Sequence, residues 1–424
     1  MRYPRPLLAR TPFFYGWVVV GVAFVTMAIG VNSRTAFSLL FPPILDEFGW
    51  LRGVTAGAFS TGFLASALYA PLIGMLMDRW GPRPVITLSA VLVSIGLASA
   101  TLSSEPWHLH LTLGLLMVGG SVGMSYIGHG AFLPNWFRRR RGLALGLAYS
   151  GVGVGSIVMF PWLQGVIDAD GWRYACLVLA ALVLAVVPLN LLLQRRRPQD
   201  LGLMPDGAAT DATDNAPMAR ESPPAAAEWT PARAARTARF WWFATACFCS
   251  MFAWYAVQVH QTRYLIDIGF GRAEAAYALA LVALFGIGGQ IGTGHLSDRI
   301  GRQWAWTLAN AGFVLCFLLL LRLQGQPDPL LMYGMVAAQG LLAYGISPLY
   351  SAIPADLFPG RSFGTIYGTL SLATSLGAAA GPWGAGYLHD LTGSYVAAFW
   401  LCLALALLSI GCIWQVAPGK ARPA

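Results

Sequence analysis

The chain has 424 residues, of which 57% are hydrophobic and 11% charged, with a formal net charge of +9 and a mean hydropathy of +0.60. A soluble chain carries about a quarter Asp, Glu, Lys and Arg. Too few charges are present here to cover a water-facing surface of this size, which excludes a soluble globular enzyme and points to an integral membrane protein.

Crossing a hydrocarbon core takes about 20 apolar residues at 1.5 Å each. In chain order, the first such stretch runs from Phe13 to Leu45, interrupted only by Asn32, Ser33 and Arg34. Stretches at 54–76, 84–103, 107–134, 142–167 and 172–193 follow. Residues 194–239 form the one long polar segment, rich in Ala, Pro, Asp and Arg, which reads as a flexible linker. A seventh stretch from Phe240 to about Ile266, interrupted by Gln258, His260, Gln261 and Arg263, opens a second set continuing at 274–296, 303–323, 329–354, 362–388 and 394–416. The spans are apolar on every side, whereas β-barrel strands alternate polar and apolar residues over roughly 10 positions. The expectation is an all-α membrane protein of twelve helices, organised as 1–193, a linker at 194–239, and 240–424.

Basic residues fall in alternate loops. With the N-terminus inside, 21 of the 27 Lys and Arg residues collect on one face, and only Arg34, Arg52, Arg173, Arg263, Arg272 and Arg322 fall elsewhere. The positive-inside rule then predicts a multi-pass protein of the inner (plasma) membrane with both termini cytoplasmic. The basic balance thus records topology in a lipid bilayer and predicts no nucleic-acid partner. Arg2, Arg5 and Arg10 precede an apolar run far longer than the 7–15 residues of a secretory signal, so that run is expected to be the first span. All six cysteines lie within spans, and Cys247 and Cys249 are too close for a CxxC pair. No disulfide, metal site or cofactor is expected.

The six-plus-six plan raises the question of an internal repeat. Residues 74–81, Gly-Met-Leu-Met-Asp-Arg-Trp-Gly, match residues 294–301, Gly-His-Leu-Ser-Asp-Arg-Ile-Gly, with Gly, Asp, Arg and Gly each displaced by 220 positions. The same displacement relates Gly49 to Gly269 and Arg52 to Arg272. In this the sequence resembles the major facilitator superfamily, whose second-to-third helix loop carries G-x-x-x-D-R-x-G-x-R. Arg83 completes the first copy, and Arg302 comes one position early in the second. The resemblance covers nearly the whole chain. It implies two pseudosymmetric six-helix bundles around a midplane site that opens alternately to each side. The role expected for Gly74, Asp78, Arg79, Gly81 and Arg83, and for Gly294, Asp298, Arg299 and Gly301, is a conformational latch: Gly turns bring helix ends together, and a charge there pairs with a dipole or a neighbouring loop.

A narrower match follows. Trp136-Phe137, the run Arg138 to Arg141, then Leu143-Ala144-Leu145-Gly146 and Gly151 resemble the start of the fifth helix in the monocarboxylate transporter family, and Tyr15-Gly16-Trp17 resembles that family's opening. The oxalate/formate antiporter and bacterial relatives share the pattern. Gly142-xxx-Gly146 and Gly364-xxx-Gly368 are expected to serve close helix packing. Two departures stand out. Where monocarboxylate transporters carry an Asp and an Arg four residues apart in the eighth helix, this chain has Gly286 and Gln290; where the oxalate transporter has a basic residue in the eleventh, it has Thr374.

Ionisable groups within hydrocarbon are costly and face cavities. Arg34, 12 residues before Asp46 and so about 18 Å from the outer helix end, brings a fork suited to a carboxylate. His129, 9 residues before Arg138, is also near mid-depth. His260 and Arg263 share one helix face. His129 and His260 are the candidates for proton coupling, since imidazole titrates near physiological pH. Asn32, Tyr126, Trp254, Tyr255, Gln290, Tyr344 and Tyr350 are candidates for polar edges and aromatic walls. The reading is a secondary transporter moving a small organic anion, a monocarboxylate, with a proton. The rival reading is an exporter of drugs or other amphipathic solutes on the same fold, against which the fifth helix lacks a Gly-Pro-rich pattern. No phosphate loop, CxxC or HExxH motif supports an enzyme.

Overall fold

A computed structural model describes residues 13–50, 52–207, 229–324 and 327–416. Arg2, Arg5, Arg10, Arg220, Lys420 and Arg422, used above for topology, lie outside the described residues. All the regular secondary structure among the described residues is helical, with no strand. Ten helices are long and apolar enough to cross a membrane: Gly16–Phe48, Gly57–Trp80, Pro82–Ala100, Pro106–Asn135, Arg141–Leu193, Ala238–Asp267, Tyr277–Ile300, Arg302–Arg322, Pro329–Leu357 and Val396–Val416. One of these, Arg141–Leu193, is two spans meeting at Gly171, whose φ of 81° is non-helical. Phe363–Thr392, rich in Gly, Ser and Thr because it packs between bundles, is the remaining one. The total is twelve, as the sequence reading expects.

The repeat is visible in the backbone. Gly81 and Gly301 end the second and eighth spans at φ 81° and 94°, and Gly49 and Gly269 end the first and seventh at φ 64° and 109°. L-residues with a Cβ avoid these conformations, so equivalent turns carry equivalent glycines. The fourth and tenth spans are both interrupted. The fourth passes from a π-helix at His110–Gly119 through a 3-10 turn at Gly120–Met124 to an extended Ser125. The tenth has a π-helix at Ala338–Leu342 and a 3-10 turn at Ala343–Ile346.

Each half has its own apolar core, one built from residues 15–201 and the other from 234–416. The first core also takes in Ala352, Ala355, Phe363 and Tyr367 of the second half. Inside the bundles, polar side chains tie spans where helix packing alone is not directional: Asn190 donates to Thr26 Oγ1 at 2.8 Å, and Ser250 donates to Asn310 Oδ1 at 2.8 Å. The outside is apolar, with Leu68, Val158 and Trp383 among the large exposed side chains. A sheath of this kind suits lipid rather than water. The second span packs on the eleventh and the fifth on the eighth, joining the halves.

Residues 194–207 pack against the first bundle. Trp136 Nε1 donates to Arg195 O at 3.1 Å, and Asp206 accepts from the Arg138 and Arg139 N–H groups at 2.8 and 2.9 Å.

Candidate functional site

At the linker-side end, each half caps a helix of the other. The fifth span begins at Arg141 and the eleventh at Phe363, and the preceding residues Arg140 and Ser362 supply no side-chain cap. Helix N-termini leave N–H groups without internal partners. Asp78, at the end of the second span, accepts from Gly364 N at 2.9 Å, Thr365 N at 2.7 Å and Thr365 Oγ1 at 2.9 Å. Asp298, 220 residues later, accepts from Gly142 N at 2.9 Å and Leu143 N at 3.0 Å. The four small residues of the Gly-xxx-Gly pairs allow this approach. A Cβ at Gly74 would lie 2.0 Å from Gly364 O, and one at Gly142 2.1 Å from Gly294 O. A Cβ at Gly146 would lie 2.4 Å from Gln290 O, and one at Gly368 2.4 Å from Ala70 O.

Charges complete the closure unevenly. Arg302 donates to Asp298 at 2.7 Å and to Asp356 at 2.9 Å, and Arg141 also pairs with Asp356. Arg83 instead donates to the carbonyls of Gln194 at 2.8 Å and Leu192 at 3.4 Å, closing the end of the sixth span within its own bundle. Arg79 and Arg299 are exposed and make no ion pair among the described residues. The carboxylates of the two Asp-Arg pairs thus reach across the halves, and their arginines do not.

Deeper in, the two halves meet on a belt of tyrosines. The Tyr126 and Tyr149 rings pack edge to face at 4.9 Å. Tyr149 Oη lies 2.9 Å from Ser351 Oγ, and Tyr367 Oη donates to Tyr126 O at 3.4 Å. Gly130 leaves room for the Tyr367 ring, which a Cβ there would approach to 2.7 Å. On the second half, the Trp254 and Tyr344 rings are 4.3 Å apart, and Tyr344 donates to Gln258. The charge of Arg34 and the hydroxyls of Tyr255, Tyr344 and Tyr149 all lie within electrostatic reach of Tyr126. Aromatic side chains of the fourth, fifth, seventh, tenth and eleventh spans therefore line the facing parts of the two halves, and the charge of Arg34 on the first span acts on Tyr126 among them.

Arg34 stands out electrostatically. Its guanidinium lies over the Phe63 ring at 5.3 Å, and it makes no hydrogen bond or ion pair among the described residues. A permanent charge without a counter-ion within a membrane span is costly, and an aromatic face offsets only part of that cost.

The remaining candidates go elsewhere. Asn32 is buried and donates to Ala28 O at 2.7 Å and Val152 O at 2.9 Å, tying the first span to the fifth. His129 is fully buried, with Nδ1 3.1 Å from Ser125 O and no hydrogen-bond partner on Nε2 among the described residues. Gln290 is buried, and its backbone carbonyl lies against Gly146. His260 bridges Tyr395 Oη at 3.1 Å and the Pro382 carbonyl at 2.9 Å. A carbonyl only accepts, so Nε2 is the donor there. Arg263 pairs with Asp267 at 2.9 Å and is largely exposed. Tyr350 packs on Trp306, ring centroids 5.2 Å apart.

Tyr149, Tyr367, Ser351, Gln258 and Phe63 are not among the site candidates read from the sequence, although Gln258 interrupts the seventh span. The glycine-rich interruptions of the fourth and tenth spans were the available signal, because irregular backbone at membrane depth survives only where it lines protein or a cavity.

Two bundles cap each other around this belt, and the family model of the Major Facilitator Superfamily matches residues 22–327 and 267–424. The chain belongs to the major facilitator superfamily. It is therefore a multi-pass membrane transporter and not an enzyme. It is 28% identical to human monocarboxylate transporter 11 over 96% of this chain and 85% of that protein. It is 26% identical to bovine (Bos taurus) monocarboxylate transporter 13 over 94% of this chain and 88% of that one. Among solved structures, the proton:xylose symporter XylE aligns with a TM-score of 0.73 at 14% identity, covering 95% of both chains. The human organic anion transporter MFSD10 aligns with a TM-score of 0.71 at 20% identity, covering 95% of this transporter and all of that chain. At the eighth-helix position where the family resemblance leads one to expect an Asp, this transporter has Gly286, and the Tyr344 ring fills the space 2.7 Å from where a Cβ would stand.

Proposed function

We propose that this transporter moves a small monocarboxylate across the inner (plasma) membrane by alternating access, as a proton symporter with both termini cytoplasmic. The observation that carries the reading is the unpaired Arg34 guanidinium beside the tyrosine belt. A carboxylate entering there gains two parallel charge-assisted hydrogen bonds, and the surrounding hydroxyls and rings bound a small organic body. The monocarboxylate transporters among its relatives support that substrate class. Proton coupling has two candidate groups, His129 and His260. Protonation of a histidine would offset the substrate's negative charge while the bundles rock.

In this reading the linker-side caps at Asp78 and Asp298 are the latch of the outward-facing state. They hold the cytoplasmic ends shut while the Arg34 end is open, and they break when the cytoplasmic side opens.

Counterflow of labelled carboxylates in proteoliposomes tests the substrate and the site together. The parent is expected to exchange a carboxylate of two to a few carbons, and Arg34→Ala to lose at least tenfold, in line with one charged hydrogen-bonding partner at about 1.5–3 kcal/mol. Retention of parental exchange by Arg34→Ala refutes the site. Uphill uptake driven by an imposed proton gradient, abolished by a protonophore, tests the coupling.

A further inference from the structure

A second polar site lies away from the transport path, on the linker-side edge of the first bundle. The turn between the second and third spans and the end of the sixth enclose an open cleft of about 300 Å³, lined by Trp80, Arg83, Pro84, Arg195, Arg196 and Asp200 among others. Three guanidinium groups and one carboxylate face it. Two of the three are fixed in place: Arg83 donates to the Gln194 and Leu192 carbonyls, and Arg195 to the same two carbonyls at 2.8 Å each. Each guanidinium has five donors, so both keep N–H groups in reserve. Arg196 makes no hydrogen bond among the described residues. Its nearest acid is Asp78 at 3.9 Å, beyond hydrogen-bond range. Asp200 is turned to the Arg197 N–H at 3.0 Å. The cleft therefore carries excess positive charge with unused donors, on the segment that follows the sixth span.

Its rim identifies the source of the anion. Trp80 is 54% exposed and Leu192 65% exposed, although both are apolar. Trp at such a level marks the boundary between hydrocarbon and water, and Leu192 continues the apolar sheath below it. A ligand with a phosphate at the cleft and acyl chains along the sixth span satisfies both surfaces at once. A soluble phosphate satisfies only the first.

We propose that this cleft binds the head group of an anionic phospholipid, with Arg195 and Arg196 holding the phosphate and Trp80 packing beside the glycerol region. Basic pockets at helix ends on this kind of face suit such head groups, and the guanidinium fork matches phosphate oxygens in pairs. Arg196 is then shared between the lipid and Asp78, which places the lipid beside the cap of the eleventh span.

The test is lipid titration of the purified, delipidated full chain, read by native mass spectrometry and thermal melting. Phosphatidylglycerol, phosphatidylcholine and inorganic phosphate are the three probes. Phosphatidylglycerol should bind and stabilise the parent more than phosphatidylcholine does, and Arg195→Gln/Arg196→Gln should weaken that binding at least tenfold. The control Arg138→Gln/Arg139→Gln removes equal charge from exposed positions on the same face and should change binding less than twofold. Equal losses in the two double variants overturn the site in favour of a diffuse charge effect. Stabilisation by inorganic phosphate equal to that by phosphatidylglycerol overturns the lipid assignment. Should the double variant fail to fold, Arg196→Gln alone decides, since that side chain makes no structural hydrogen bond; unchanged lipid preference there refutes the proposal.

Discussion

Removing the charge of Asp78 and Asp298 should open the linker-side end. Each carboxylate accepts from two backbone N–H groups of the opposite bundle at 2.7–3.0 Å. Asn at either position keeps the shape, loses the charge, and turns one oxygen into a donor that faces another donor. A side-chain cap is worth about 0.5–2 kcal/mol, and 1.4 kcal/mol is a factor of about 10 in an equilibrium. Each single variant should therefore shift the ratio of closed to open molecules roughly 2- to 30-fold. The two caps share no residue, so Asp78→Asn/Asp298→Asn should combine the two shifts nearly additively. Electron-electron distance measurements between labels on Arg79→Cys and Arg299→Cys read this directly. Both positions are exposed, make no ion pair, and sit on opposite bundles, while all six native cysteines are buried. The long-distance population should grow in each single variant and dominate in the double one. An unchanged distribution in the double variant refutes the latch, as does an equal shift from Asp170→Asn, an exposed acid at the far end of the fifth span.

Three further outcomes follow from individual contacts. Gly142→Ala places a Cβ 2.1 Å from Gly294 O and 2.4 Å from Ser297 Oγ; backbone cannot yield there, so about 1–3 kcal/mol of overpacking should open the linker-side end without any change of charge, read by the same label pair. Tyr344→Phe removes the hydroxyl bonded to Gln258 and, at about 1 kcal/mol per hydrogen bond, should raise the half-saturating carboxylate concentration roughly fivefold, measured by counterflow with thermal melting as the control for folding. Asn32→Ala loses the tie to Val152 O and should cost about 1–3 kcal/mol of stability, lowering the melting temperature while the substrate preference stays parental; a changed preference would return Asn32 to the binding site.

Much of the architecture is legible in the sequence. Hydrocarbon thickness fixes span length, so apolar runs alone give the number and order of helices, and the basic loops give a topology. The repeated Gly-x-x-x-Asp-Arg-x-Gly also told of its own turns, because a backbone at positive φ admits Gly and little else, as Gly81 and Gly301 show. That the small residues at 142, 146, 364 and 368 serve close packing was equally readable, since nothing else about them could act. Arg34 was identifiable as a cost that function must justify, whatever its surroundings.

The partners of these residues were not readable, because pairing across the halves joins positions 155 to 287 apart in sequence that only the folded bundles bring together. Asp78 and Arg79 look equivalent in the motif, yet the helix end turns one carboxylate onto the eleventh span and leaves its arginine in solvent. Asn32 and Arg34 are two residues apart on one polar interruption, and a rotation of about 200° between them sends the first into helix packing and the second towards the tyrosines. His260 reads as a free titratable group in the sequence but is held between Tyr395 and Pro382. The sequence by itself determined the spans, the duplication and the kinds of charge available in the membrane. The tertiary structure decided which charges are satisfied, leaving Arg34 over the Phe63 ring with no hydrogen bond or ion pair among the described residues, because satisfaction depends on direction and distance rather than on composition.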